Sequence, residues 1–269
     1  MQLSANLTWL YPNLDWDARF HAAAIDGFAG AEILLPYDQS PPWYAAQLRS
    51  AGLELTLFNT PISAGKGRLG WAAIPGAKQE FVEAFDQARA VAEATGCRHI
   101  HVMAGEVSDH APAAWEQALA QNLEHALRIA EYEDLTLTLE ALNRDDMAGY
   151  AYHHPSQVIE ILREIDSPRL RLQFDYYHCA KEGLDLMEAV QTAAPWIGYV
   201  QIAHEHGRTE PDLHLNGLLE AVAVLPDLGY DSWLGCEYQP RTTVAEGLIW
   251  CTPLQARGLL SATTVEGSR

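Results

Sequence analysis

Four oxygen-bearing side chains recur along the second half of the chain. Glu140 closes the run Leu135–Glu140, Asp175 closes Leu170–Asp175, Gln201 lies near the end of Trp196–Ile202, and Glu237 closes Trp233–Glu237. Each run alternates apolar and polar residues or is short and apolar, as a β-strand does. The four are roughly 26 to 36 residues apart, about one strand–helix unit each. Three carboxylates and an amide oxygen brought together repel one another unless a cation lies among them. Magnesium and manganese are hard ions that prefer such ligands. Taken singly, each residue reads more readily as a capping Asp, a Glu paired with an Arg or a Gln bonded to backbone. Recurrence at four successive strand ends favours a site in which Glu140, Asp175, Gln201 and Glu237 hold a divalent metal, Mg2+ or Mn2+.

Within that set Glu140 and Glu237 are placed to act as acid and base on opposite faces of a bound substrate. A carboxylate can take a proton from a carbon beside a carbonyl when that carbonyl is polarised. The chemistry expected is isomerisation through an enediolate. His178 follows Asp175 by three residues and should face the same cavity. Arg208, in the loop His204–Pro211, could clamp a substrate carboxylate with two parallel hydrogen bonds. His204 and His206 offer alternative ligands with no recognisable spacing.

Eight strands are needed to carry these residues, and the sequence supplies them. Strands are expected at Gln2–Leu7, Ala31–Leu35, Glu54–Phe58, Arg98–Val102, Leu135–Glu140, Leu170–Asp175, Trp196–Ile202 and Trp233–Glu237. Helices are expected between them at Asp17–Asp26, Pro41–Ala51, Ala77–Thr95, Ala113–Glu131, Pro155–Ile165, Leu184–Ala194 and Asn216–Leu228, with a closing helix at Val244–Leu260. Such alternation predicts a single-domain α/β fold, a (β/α)8 TIM barrel over residues 1–260 with a polar tail at 261–269. A doubly wound open sheet is the alternative, but no Gly-rich nucleotide turn follows the first strand. The segment Asn59–Gly76, rich in glycine and proline and containing Arg68 and Trp71, is expected to be a lid. Arg68 is assigned to substrate contact.

The chain has 269 residues and a formal net charge of -19, which disfavours nucleic acid as a partner. Its four cysteines lack metal-finger spacing, which fits reduced thiols in a cytoplasmic protein. No signal peptide and no apolar stretch long enough to cross a bilayer is evident, so a membrane is not expected as a partner. A homo-oligomer is compatible with these features.

Several short motifs occur together: Ser4-Ala-Asn6, Pro36-Tyr-Asp38, Ile74-Pro-Gly76, Glu140-Ala-Leu-Asn143, Asp175-Tyr-Tyr-His178, Gln201-Ile-Ala203, and Gly235-Cys-Glu-Tyr238 through Thr242-Thr243. In combination, from Leu3 to about Trp250, they resemble the hydroxypyruvate isomerase family of the xylose-isomerase-like sugar isomerase and epimerase barrels. The resemblance implies an intramolecular oxidoreductase of the aldose–ketose type. Such an enzyme moves a carbonyl between C2 and C3 of a small hydroxy-keto acid, as in hydroxypyruvate to tartronate semialdehyde or 2-oxo-tetronate to 3-oxo-tetronate. It implies Glu140, Asp175, Gln201 and Glu237 as metal ligands, Glu140 and Glu237 also as the acid–base pair, and His178 and Arg208 as substrate contacts. Related ketose 3-epimerases usually carry histidine where Gln201 stands. This chain departs from the family at Glu106 and Gln239, where lysine is expected, and at His214, in a shortened segment where a glutamate is expected. These changes keep a ketose 3-epimerase acting on a free sugar as the main alternative. A dehydratase, a metal-dependent phosphodiesterase and a non-catalytic binding protein are weaker rivals.

Overall fold

The computed structural model describes residues 1–63, 65 and 68–261; residues 64, 66, 67 and 262–269 lie outside the described residues, and with them most of the expected tail. Eight parallel strands close into a barrel in sequence order: β1 (Gln2–Asn6), β2 (Gly30–Ile33), β3 (Glu54–Asn59), β4 (His99–His101), β5 (Thr136–Glu140), β6 (Leu170–Asp175), β7 (Ile197–Ile202) and β8 (Trp233–Cys236). The closing pair β1–β8 aligns Ser4 with Gly235 and Ala5 with Cys236. The open-sheet alternative is thereby excluded.

The alternation read in the sequence sorts the strand residues between two environments. Ala5, Ala31, Ile33, Ile100, Leu137, Leu139, Leu172, Phe174, Val200, Ile202 and Leu234 are buried in the hydrophobic core between sheet and helices. Their polar neighbours bond to one another across the barrel. Ser4 on β1 meets Thr56 on β3 at 2.6 Å, and Thr56 meets the Tyr199 hydroxyl on β7 at 2.7 Å. The barrel interior is thus a hydrogen-bonded polar column, with the helices supplying the apolar packing.

The long helices stand close to expectation: α1 (Trp16–Ile25), α2 (Pro41–Ala51), α3 (Lys78–Thr95), α4 (Pro112–Glu133) and α5 (Pro155–Ile165). α5 starts on a capping box, His154 with Gln157, and has Pro155 in its first turn, where a missing N–H is harmless. The later helices are more broken than the periodicity predicts. α6 (Tyr176–Lys181) follows β6 directly, capped by the Asp175 side chain on Tyr177 N. The helix expected at Leu184–Ala194 is α7 (Leu186–Ala193), and that expected at Asn216–Leu228 is α8 (Leu218–Ala223). The closing helix is α9 (Val244–Gly247), a 3-10 turn Leu248–Cys251, and α10 (Thr252–Ala256). Pro253 cannot donate to the preceding turn, so it opens a new helix.

The expected lid is anchored over its second half. Ala72 N and Ala73 N donate to the Met103 and Ala104 carbonyls, and Ala72, Ala73 and Ile74 are buried. Gly70 has φ 114°, and a Cβ there would lie 2.1 Å from the Met103 carbonyl oxygen, so this approach requires glycine. The first half includes positions outside the described residues. Among the described residues no helix is long and apolar enough to cross a membrane.

Candidate active site and metal centre

Strand register brings the four oxygen-bearing residues to one end of the barrel. Asp175 pairs with Gln201, Gln201 with Gly235, and Glu140 with Gln173, while Glu237 follows the last residue of β8. All four are buried. Glu140 Oε1 and Asp175 Oδ2 have no hydrogen-bond partner. Candidate ligand atoms of Glu140, Asp175 and His178 lie within 4.8 Å of one another. Two unpartnered carboxylate oxygens, buried side by side, are a donor set that suits a hard divalent cation.

Burial raises the pKa of Glu140 well above the usual carboxylate range, and the neighbouring Glu237 and Asp175 charges add to this. Burial pushes Asp175 up to about 7, with Arg208 opposing and Glu237 reinforcing. Glu237 is also raised by burial, against the pull of Arg208 and Gln201. Without a compensating cation these groups resist being ionised together.

Glu237 and Gln201 are more fully engaged than Glu140 and Asp175. Glu237 Oε1 accepts from Arg208 Nη2, and Oε2 accepts from Gln201 Nε2, each at 2.5 Å. The second N–H of Gln201 goes to Glu32 Oε2 at 2.9 Å, and its carbonyl oxygen accepts from Gln173 Nε2 at 2.7 Å.

His178 is fixed as a donor. The Asn143 backbone N–H donates to its Nδ1 at 3.0 Å, so the neutral ring carries its proton on Nε2. That atom faces Glu140 Oε1 and Asp175 Oδ2, each at 3.7 Å. Burial lowers the pKa of the ring, and Arg208 and His101 lower it further, so it stays neutral. An Nε2–H cannot ligate a metal, so His178 stands beside the carboxylate pair as a hydrogen-bond donor.

Arg208 lies between two aromatic faces, its guanidinium 4.6 Å from the Tyr177 ring centre and 5.1 Å from that of Trp9. Burial works against its charge, but Glu237, Asp175 and Glu140 outweigh that and raise its pKa. Its backbone is left-handed, φ 48°, a strained conformation for a residue with a Cβ. Gln239 N holds the Arg208 carbonyl at 2.8 Å. Arg68 is not part of this cluster: it is exposed and paired with Glu106 at 2.7 Å. His206 is likewise exposed and pairs with Glu205, and His204 joins no cluster with the carboxylates.

Three buried residues facing the site escaped the sequence reading. Glu32 on β2 accepts from Asn6, Tyr199 and Gln201. His101 on β4 lies 3.4 Å from Glu140 Oε2, and burial lowers its pKa to about 3. Gln173 on β6 donates to Glu140 Oε2 at 2.9 Å. The available signal was, for Glu32 alone, a single acid inside a strand whose other residues are apolar or glycine.

A family model described as the xylose isomerase-like TIM barrel matches residues 20–254. A putative hydroxypyruvate isomerase of Homo sapiens is 38% identical over 262 residues, covering 93% of this chain and 94% of that protein. A 2-oxo-tetronate isomerase of Cupriavidus necator is 34% identical, covering 95% of this chain and 99% of its own length. A crystal structure described as an AP endonuclease, family 2, from Brucella melitensis superposes with a TM-score of 0.88 at 32% identity, over 94% of this chain and 99% of that one.

Proposed function

This chain belongs to the xylose isomerase-like TIM barrel family, and from that premise we propose that it is a divalent-metal-dependent isomerase of small hydroxy-keto acids. The reaction is of the hydroxypyruvate to tartronate semialdehyde or 2-oxo-tetronate to 3-oxo-tetronate type, as the names of the relatives suggest. The observation that carries the reading is the pair of buried, unpartnered oxygens on Glu140 and Asp175.

Glu140 and Asp175 hold the metal in this proposal, with Glu237 and the Gln201 carbonyl completing the protein's share. Mg2+ or Mn2+ suits an all-oxygen set. When bound, such an ion supplies polarisation of the substrate carbonyl and offsets the charge of the enediolate. Glu140 and Glu237 flank the substrate carbons. One takes the proton from C3, giving the enediolate, and C2 is reprotonated as the hydroxyl proton passes between the two oxygens. His178 donates from Nε2 to a substrate oxygen. Arg208, held by stacking and by Glu237, orients the carboxylate.

The test is turnover of hydroxypyruvate and of 2-oxo-tetronate in deuterated water with Mg2+ or Mn2+, followed by proton NMR against enzyme-free and chelator controls. The expected product carries solvent deuterium at C2. Absence of turnover on both keto acids would overturn the reading. Full retention of the original hydrogen would replace the two-glutamate mechanism with a hydride shift. A second reading, a ketose 3-epimerase, is favoured by the rim, where Arg68 spends its charge on Glu106. Faster turnover of neutral ketoses in the same assay would select it.

A further inference from the structure

Beneath Glu140 and Glu237 runs a directional chain of two amides. Gln173 Nε2 donates one hydrogen to Glu140 Oε2 at 2.9 Å and the other to Gln201 Oε1 at 2.7 Å. Gln201 Nε2 donates one hydrogen to Glu237 Oε2 at 2.5 Å and the other to Glu32 Oε2 at 2.9 Å. The Gln173 carbonyl accepts from Thr138 Oγ1 at 2.9 Å. Every amide hydrogen is used, and the direction of the chain is set by the carboxylates at its ends. Turning either amide round would set oxygen against oxygen. Gln173, Gln201 and Thr138 are all buried, so no solvent competes.

Glu140 and Glu237 are treated alike by this chain. Each has Oε2 tied to an amide N–H below, which leaves Oε1 as the oxygen available above. On Glu140 that oxygen has no partner, and on Glu237 it meets Arg208. A carboxylate pinned by one oxygen presents the other at a fixed position and angle.

We propose that Gln173 is a positioning residue: by donating to both Glu140 and Gln201 it sets the spacing of the two glutamates and selects which oxygen of Glu140 faces the metal and substrate. This rests on the reading of Glu140 as a metal ligand. Gln173 touches no substrate and acts through Glu140 and Gln201.

The experiment is calorimetric titration of the purified chain with Mn2+, for the wild type, Gln173→Met and Thr138→Val. Methionine keeps the length of the side chain and removes both donors. Thr138→Val removes an equally buried hydrogen bond from the same amide but leaves its N–H groups in place. Gln173→Met is expected to weaken Mn2+ binding by about 10- to 100-fold, the usual effect of losing a partner behind a ligand. Thr138→Val is expected to bind Mn2+ as the wild type does. With substrate, Gln173→Met lowers kcat and leaves KM near its original value. Wild-type Mn2+ affinity in Gln173→Met would overturn the proposal, as would equal weakening in Thr138→Val. If Gln173→Met does not fold, Gln173→Asn, whose reach is one carbon shorter, takes its place with the same expected loss, and wild-type affinity there overturns the proposal too. A wild-type chain that binds Mn2+ but turns over no keto acid would sink the functional reading while leaving the Gln173 titration interpretable.

Discussion

Glu32 and the pair Glu140–Asp175 are buried carboxylates in the same barrel, built in opposite ways. Glu32, on β2, has donors for both oxygens: Tyr199 for Oε1, Asn6 and Gln201 for Oε2. Glu140 and Asp175, on β5 and β6, each keep one oxygen with no donor. Burial therefore does not distinguish them, since all three are closed to solvent. What separates these three is unmet hydrogen-bonding capacity. An unsatisfied polar group in an interior costs about 1–3 kcal/mol. Two such oxygens belong to one buried cluster that could hold a metal ion.

The largest expected effect tests the unpaired side. Glu140→Gln should lower kcat by about 10²–10⁴-fold, the usual contribution of a proton-transferring group. The metal-free variant should melt no lower than the metal-free wild type, because a buried carboxylate with neighbouring negative charges has been removed. Steady-state kinetics and a thermal melt on the same preparation check both halves.

Arg208→Ala comes next. It strips Glu237 of its cation inside the protein, a loss of about 3–5 kcal/mol in stability for a broken buried pair. Chemical denaturation measures it. A variant as stable as the wild type, with kcat and KM both unchanged, would remove Arg208 from the site.

Metal linkage gives a smaller shift. Mn2+ at about 100 times its dissociation constant should stabilise the wild type by about 2.7 kcal/mol. Asp175→Asn should lose most of that gain and Glu32→Gln should keep it. If both variants respond alike, the contrast between the two kinds of carboxylate fails.

Glu32→Gln itself should show the smallest effect. Three donors then converge on a side chain with one acceptor oxygen, which costs about 1–3 kcal/mol of stability, while kcat changes little. A drop in kcat comparable with that of Glu140→Gln would mean that Glu32 belongs to the chemistry.

Much of this was written in the sequence. The barrel was legible because apolar and polar residues alternate along Leu170–Asp175 and Leu135–Glu140, and because oxygen-bearing residues mark the strand ends. Glu32 was passed over because it lies inside a strand, in Ala-Glu-Ile-Leu-Leu, where helix-linked spacing gives no cue. Gln173 alternates with the apolar residues of β6, and its partners lie on β5 and β7, which residue types do not reveal until the strand order is known. The tautomer of His178 depends on the backbone N–H of Asn143, which has no signature in residue types. Arg68 was placed at the site by its loop alone, and its bond to Glu106 is a contact between separate loops.

Gly235 binds the history of two strands together. A Cβ at this position would fall 1.8 Å from Glu32 Oε1 and 2.9 Å from the Gln201 Cγ, so the glutamate occupies the room that a side chain on β8 would fill. Neither position can drift alone. A larger residue at 235 is admissible once position 32 has become short, and a chain that keeps Glu32 is held to glycine. In related sequences the two sites should change as a pair, and a barrel carrying alanine at 235 beside an intact Glu32 would have to push that carboxylate off its donors or part its second and last strands to hold both.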